Sequence, residues 1–165
     1  MILFFGNGFS PQWSCKIATL GPIGYWGKAP GTNGSFVGLL WYTLFFHDLS
    51  PFFYFLLCAF TLSTACNICT QAELVFGEKD PPYVIIDEMV AMPICFFGMQ
   101  PYMQQYPVWW FMIGGFLLFR LFDIVKPFGI AQLQEIPGGK GVVMDDVAAA
   151  GATCLCLHIA VLLLR

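Results

Sequence analysis

Polar positions along this chain fall into short clusters, and between them lie long stretches with almost none. Five apolar segments are delimited in this way, over approximately 35–47, 52–76, 83–99, 108–126 and 142–164. A membrane-spanning helix needs about 20 residues and at the least about 17, so the first and third segments are marginal. The first reads as a short or re-entrant helix. In lipid every backbone polar group must be satisfied within its own element, which leaves helix as the practical conformation. The breaks fall at "HDLSP", "GEKDPP", "MQPYMQQYP" and "KPFGIAQLQEIPGGKG", where proline, glycine and polar residues end helices. There is no internal repeat and no low-complexity tract. The pattern predicts an all-α, multi-pass helical membrane protein with four to five membrane-embedded helices, in one domain over residues 1–165.

Composition agrees. The 165 residues are 58% hydrophobic and 10% charged, whereas soluble domains carry roughly 25% charged residues. A net charge of −3 gives no basic footprint for nucleic acid. The opening "MILFFGNGFSPQWSCK" lacks the positive n-region and cleavage site of a signal peptide. Seven cysteines lie mostly inside apolar runs without zinc spacing, and read as small buried hydrophobes. The positive charges are lopsided. If all five segments cross, Lys16, Lys28, Lys79, Lys126 and Lys140 share one face, while loops 48–51 and 100–107 contain no Lys or Arg. The positive-inside rule makes the lysine face cytoplasmic.

Four polar motifs then fall at or near that face: "PGTNGS" (30–35), "DE" (87–88), "RLFDIVKP" (120–127) and "GGKGVVMDD" (138–146). Asp87 and Glu88 sit near the start of the third segment. Acids inside a membrane segment cost on the order of 2.5–3.5 kcal/mol at the helix centre and usually face a functional interior. Arg120, Asp123 and Lys126, three residues apart, form one slanting helical stripe. Its two cations suit a phosphate, Arg120 as a planar fork and Lys126 as a point charge. Asp145 and Asp146 follow a glycine-rich loop at the head of the last segment, where the bland role is helix capping. Thr32, Asn33 and Ser35, between Gly31 and Gly34, read as a turn ahead of a helix, or as an anion site from backbone N–H groups. "GGKG" with Lys140 offers a matching element. Five carboxylates cannot crowd together unpaired, and hard oxygen ligands with open positions suit Mg²⁺.

Acids for a metal, cations for phosphate and a membrane location point to phosphate-ester chemistry on a lipid. The chain has no Cys-x₅-Arg loop, no D-x-D pair for an aspartyl-phosphate nucleophile and no histidine in its motifs. The signature of CDP-alcohol phosphotransferases is also missing. Mg²⁺-assisted attack by water remains.

The ordered motifs "PGTNGS", "DPPYVIIDEMVAM", "FLLFRLFDIVKPFGI" and "GGKGVVMDDVAAAG" resemble those of phosphatidylglycerophosphatase A, over about residues 18 to 155. The resemblance implies a Mg²⁺-dependent enzyme of the bacterial inner membrane that hydrolyses phosphatidylglycerophosphate, a phospholipid, to phosphatidylglycerol and inorganic phosphate. It also brings in Asp80, otherwise a loop acid. The expected division of labour gives the metal to Asp87, Asp123 and Asp145 or Asp146. It gives the phosphate to Arg120 and Lys126, with Thr32, Ser35 and Lys140 in support, and the water to Glu88. The alternative is a transporter or channel subunit, which would place its acids near mid-bilayer on a pathway.

Overall fold

The computed structural model describes residues 10–127 and 129–164, and among these the chain is helical with no strand. A short helix α1 (Pro11–Ala18) leads through a 3₁₀ turn (Ile23–Tyr25) into α2 (Pro30–Phe45), followed by α3 (Pro51–Phe76). Helix α4 (Ile86–Ala91) passes straight into a 3₁₀ helix (Met92–Phe96). Then come the single turn α5 (Gln100–Met103), α6 (Val108–Val125), the single turn α7 (Ile130–Leu133) and α8 (Gly139–Leu163).

Helices α3, α6 and α8 are long and apolar enough to cross a membrane. Their outward faces are apolar: Phe60 on α3 is 68% exposed, Trp109 on α6 60% and Leu155 on α8 62%. Such side chains have a favourable surrounding only in lipid. Helix α2, about 24 Å long at the α-helical rise, falls short of a hydrocarbon core of about 30 Å, as its marginal sequence length predicts. It starts earlier than the pattern suggests, at Pro30, which pre-sets φ at the first helical position. "PGTNGS" is therefore the first turn and a half of α2, not a turn ahead of it.

The third segment is broken into an α-helix and a 3₁₀ helix rather than forming one helix over 83–99. Pro93 has no N–H to bond Met89, and the chain tightens to 3₁₀ geometry from Met92. The Pro93 carbonyl instead accepts from the buried Tyr54 hydroxyl. The segment still reaches the far end of the bundle, where the Gln100 side-chain amide donates to the carbonyls of Phe46, His47 and Leu49. These carbonyls lie in the turn that follows α2, and one side chain bridges them. At the opposite end Ile85 N–H donates to the Ala18 carbonyl at 2.9 Å, and Gly139 N–H to Thr70 Oγ1 at 2.9 Å. The lysine-bearing loops thus share one end, as the charge pattern predicts.

Two clusters of buried apolar residues stack along the bundle. One, around Tyr42, Phe46, Tyr54, Phe96 and Phe119, fills the end away from the lysines. The other, around Ala65, Ile68, Val84, Val90 and Val142, lies under the lysine end. All seven cysteines are free, and Cys58, Cys69 and Cys95 are buried, in keeping with a packing role.

Helix α2 is brought onto α4 by its glycines. A Cβ at Gly34 would lie 2.7 Å from the Ile85 carbonyl oxygen, and one at Gly38 would lie 2.6 Å from Met92 Cβ. Small residues four apart allow this kind of backbone approach in membrane helices. Gly38→Ala is expected to lower the detergent-state Tm, because overpacking of about 1–3 kcal/mol outweighs the gain of about 1 kcal/mol in helix propensity. Gly151→Ala, whose Cβ enters open space, is expected to leave Tm unchanged or raise it. Equal Tm for the two variants would show that the close approach is not what holds α2 to α4.

Candidate active site

Four segments deliver acids and cations to the lysine end. The loop before α4 carries Asp80, and the first turn of α4 carries Asp87 and Glu88. The last two turns of α6 present Arg120 and Asp123; Lys126 follows with a φ of +46° and Pro127 stops the helix behind it. Asp145 and Asp146 are the seventh and eighth residues of α8. That position is too deep to cap the helix. Capping at this end falls instead to Gly138, with a φ of +73° that disfavours any side chain.

These groups surround an open cavity of about 350 Å³ lined by Asp80, Asp87, Glu88, Asp123, Lys126, Asp145 and Asp146 among others. Asp87, Asp145 and Asp146 are only 5%, 4% and 3% exposed. Taking a carboxylate out of water costs several kcal/mol unless it is compensated. Two of the five acids of the helical motifs find a cation. Asp123 Oδ2 lies 2.7 Å from Arg120 Nη1, and Asp145 Oδ2 lies 2.5 Å from Lys126 Nζ. Burial works against the Lys126 charge, but its bond to Asp145 and the Asp123 and Asp146 carboxylates outweigh this and raise its pKa above the ordinary lysine value.

The other three acids form a different group. Oxygens of Asp87, Glu88 and Asp146 all lie within 4.8 Å of one another. Among the described residues no cation reaches Asp87 or Asp146, and Glu88 only shares Arg120 at 3.8 Å. Asp87 Oδ1 and Glu88 Oε2 are buried without a hydrogen-bond partner. Three anionic oxygens in this arrangement fit a small hard cation such as Mg²⁺, which takes a few carboxylates and leaves positions for water and phosphate.

The structure adds partners to the expected residues. Glu88 lies with Asp87 and Asp146 in the trio and 3.8 Å from Arg120. Asp123 and Asp145 line the same cavity and pair with Arg120 and Lys126. The supporting residues are also redistributed. Ser35 accepts a hydrogen bond from Arg120 Nη1 at 3.2 Å and donates to the Gly31 carbonyl at 2.9 Å, so it aims the guanidinium. A Cβ at Gly31 would lie 2.3 Å from Glu88 Oε1 and 3.1 Å from Arg120, so the glycine clears space for both side chains. Asn33 donates to the Trp26 carbonyl at 2.6 Å and ties down the preceding loop. Thr32 and the exposed Lys140 do not line the cavity. The glycines of "GGKG" serve packing: a Cβ at Gly139 would lie 2.4 Å from Cys66 O and Thr70 N on α3. Gln134, which donates to Asp80 Oδ2, belongs to no motif, and nothing in its sequence context marks it.

The phosphatidylglycerophosphatase A family matches residues 16–161. A Bacteroides thetaiotaomicron protein named "Putative phosphatidylinositol-3-phosphatase" is 36% identical, covering 88% of this chain and 81% of its own length. Phosphatidylglycerophosphatase A of Haemophilus influenzae is 30% identical (82% and 86% covered), and that of Escherichia coli 28% (88% and 72%). No solved structure matches the chain. With the acids of the "DE", "RLFDIVKP" and "MDD" motifs gathered on one cavity, the chain is a membrane phosphatase that belongs to the phosphatidylglycerophosphatase A family.

Proposed function

We propose that this phosphatase removes the terminal phosphate of phosphatidylglycerophosphate, with Mg²⁺ held by Asp87, Glu88 and Asp146 and the site facing the cytoplasm of a bacterial inner membrane. The observation that carries the reading is the trio of acids that only Arg120 approaches, 3.8 Å from Glu88, two of the acids buried and the third nearly so, at one end of the bundle. A transporter pathway would hold its acids near mid-bilayer. Here Asp123 is two residues from the end of α6, and Asp145 and Asp146 lie within the first third of α8. The lysine-rich loops at the same end support the cytoplasmic orientation.

A divalent cation in the trio would polarise a phosphoryl oxygen and make water a better nucleophile. Arg120 and Lys126 bind the remaining phosphate oxygens, the first as a fork and the second as a point charge. Asp123 and Asp145 keep those cations aimed at the cavity. Glu88, with Oε2 unpartnered and Oε1 facing Arg120, accepts the proton of the attacking water. As the new P–O bond forms the ester P–O bond breaks, and the alcohol oxygen takes up that proton. Water is consumed, and phosphatidylglycerol and inorganic phosphate are released. The name of the Bacteroides relative raises a second substrate, a phosphorylated inositol lipid. Parallel assays of phosphate release from the two lipids by the purified chain separate these readings.

Asp87→Asn and Asp146→Asn are expected to lose phosphatase activity while expression and membrane insertion persist. Asp123→Asn, which only frees Arg120, is expected to cost about 10–100-fold. Full activity in Asp146→Asn would exclude the trio as the cation site. EDTA should stop phosphate release and Mg²⁺ should restore it, with Mg²⁺ raising the Tm of the wild-type chain but not of Asp146→Asn. Undiminished turnover in excess EDTA would rule out a metal role.

A further inference from the structure

One acid of the cavity takes no part in this chemistry. Asp80 lines the cavity but stands outside the trio of Asp87, Glu88 and Asp146. It is held from three directions. Its φ of +50° lies in the left-handed region, which a non-glycine residue adopts at some cost. Its N–H donates to Glu73 Oε1 at 3.0 Å, and its Oδ2 accepts from Gln134 Nε2. Glu73 belongs to the last turn of α3 and Gln134 follows α7, so two separate elements fix this one carboxylate. No described cation pairs with it, and Oδ1 accepts from no described residue.

An anionic oxygen fixed on the wall of a phosphate site repels phosphate oxygens and attracts donors. The donors that a phosphorylated polyol headgroup brings are its hydroxyls, which lie next to the phosphate ester. Resting on the phosphatase reading above, we infer that Asp80 is a specificity-determining residue whose free carboxylate oxygen accepts a hydrogen bond from a headgroup hydroxyl neighbouring the scissile phosphate. Gln134 is the positioning residue that keeps the other oxygen occupied and the carboxylate in register. A site built to bind a hydroxyl discriminates against the analogue lacking it, because its own polar group is then left unpaired.

The test uses the full chain in detergent with Mg²⁺ and measures phosphate release from phosphatidylglycerophosphate and from its analogue with hydrogen in place of the secondary headgroup hydroxyl. Wild type is expected to favour the hydroxylated lipid by about 10-fold or more in kcat/KM, the size of a hydrogen bond to a charged group. Asp80→Gly suits the positive φ and removes the carboxylate; its ratio should fall to near unity through a raised KM for the hydroxylated lipid alone. Asp80→Asn keeps an acceptor oxygen and should retain part of the ratio, and Gln134→Leu should lower it. Equal losses on both lipids, or an unchanged ratio in Asp80→Gly and Asp80→Asn, overturn the inference. A wild-type chain that releases no phosphate from phosphatidylglycerophosphate overturns the functional reading itself, a result distinct from an unchanged ratio.

Discussion

Five carboxylates of α4, α6 and α8, with Asp80 on the cavity wall beside them, converge at one end of an apolar bundle where two cations meet them, and the rest of the site follows from that imbalance. Buried charge is tolerated only when paired or coordinated. Arg120 and Lys126 meet Asp123 and Asp145 in close contacts. The surplus falls on Asp87, Glu88 and Asp146, the three acids that share one small volume. That excess of negative charge, which among the described side chains only Arg120 approaches, is the observation on which the proposed cation rests. The same charge distribution leaves two cations at the cavity, and an incoming phosphate can compete for them. The proposed binding of substrate and of metal thereby rests on one local electrostatic problem.

That problem can be posed only because the helices approach closely. The first turn of α4, with Asp87 and Glu88, is set against α2 at glycines where a Cβ would overlap Ile85, Glu88 or Met92. The chain passes from α-helix to 3₁₀ geometry at Met92–Pro93, and the Gln100 amide anchors the far end of this segment. The α4 acids are thus held level with the ends of α6 and α8. Precision here comes from backbone contact rather than from long side chains, which suits a site whose ligand oxygens must agree within a few tenths of an ångström.

Much of this was legible in the chain as text. The apolar segments announced a helical membrane protein, and lysine asymmetry gathered the motifs on one face. The acids and cations of "DE", "RLFDIVKP" and "MDD" do line or border one cavity. Other features were misplaced. "PGTNGS" read as a turn ahead of a helix because glycine and small polar residues favour turns, yet it lies inside α2, where its glycines provide space and Ser35 steers Arg120. Asp145 and Asp146 looked like helix-start acids because a glycine-rich loop precedes them, yet α8 begins with those glycines. Gln134 carried no signal at all, since a lone glutamine in a polar loop acquires meaning only from what it touches.

By itself the sequence determined the class of the fold, the family and the set of residues available for chemistry. Those depend on composition, on runs of apolar positions and on ordered motifs, which are properties of the chain read along its length. Only the tertiary structure decided which acid faces which cation, that Glu88 clusters with Asp87 and Asp146 while Asp123 and Asp145 pair with Arg120 and Lys126, and that Asp80 is gripped by Gln134. The physical reason is that pairing is set by distances of a few ångströms between helices far apart in sequence, such as the 3.2 Å between Arg120 and Ser35. Local pattern places a residue on a helix, but the packing of helices chooses its partner.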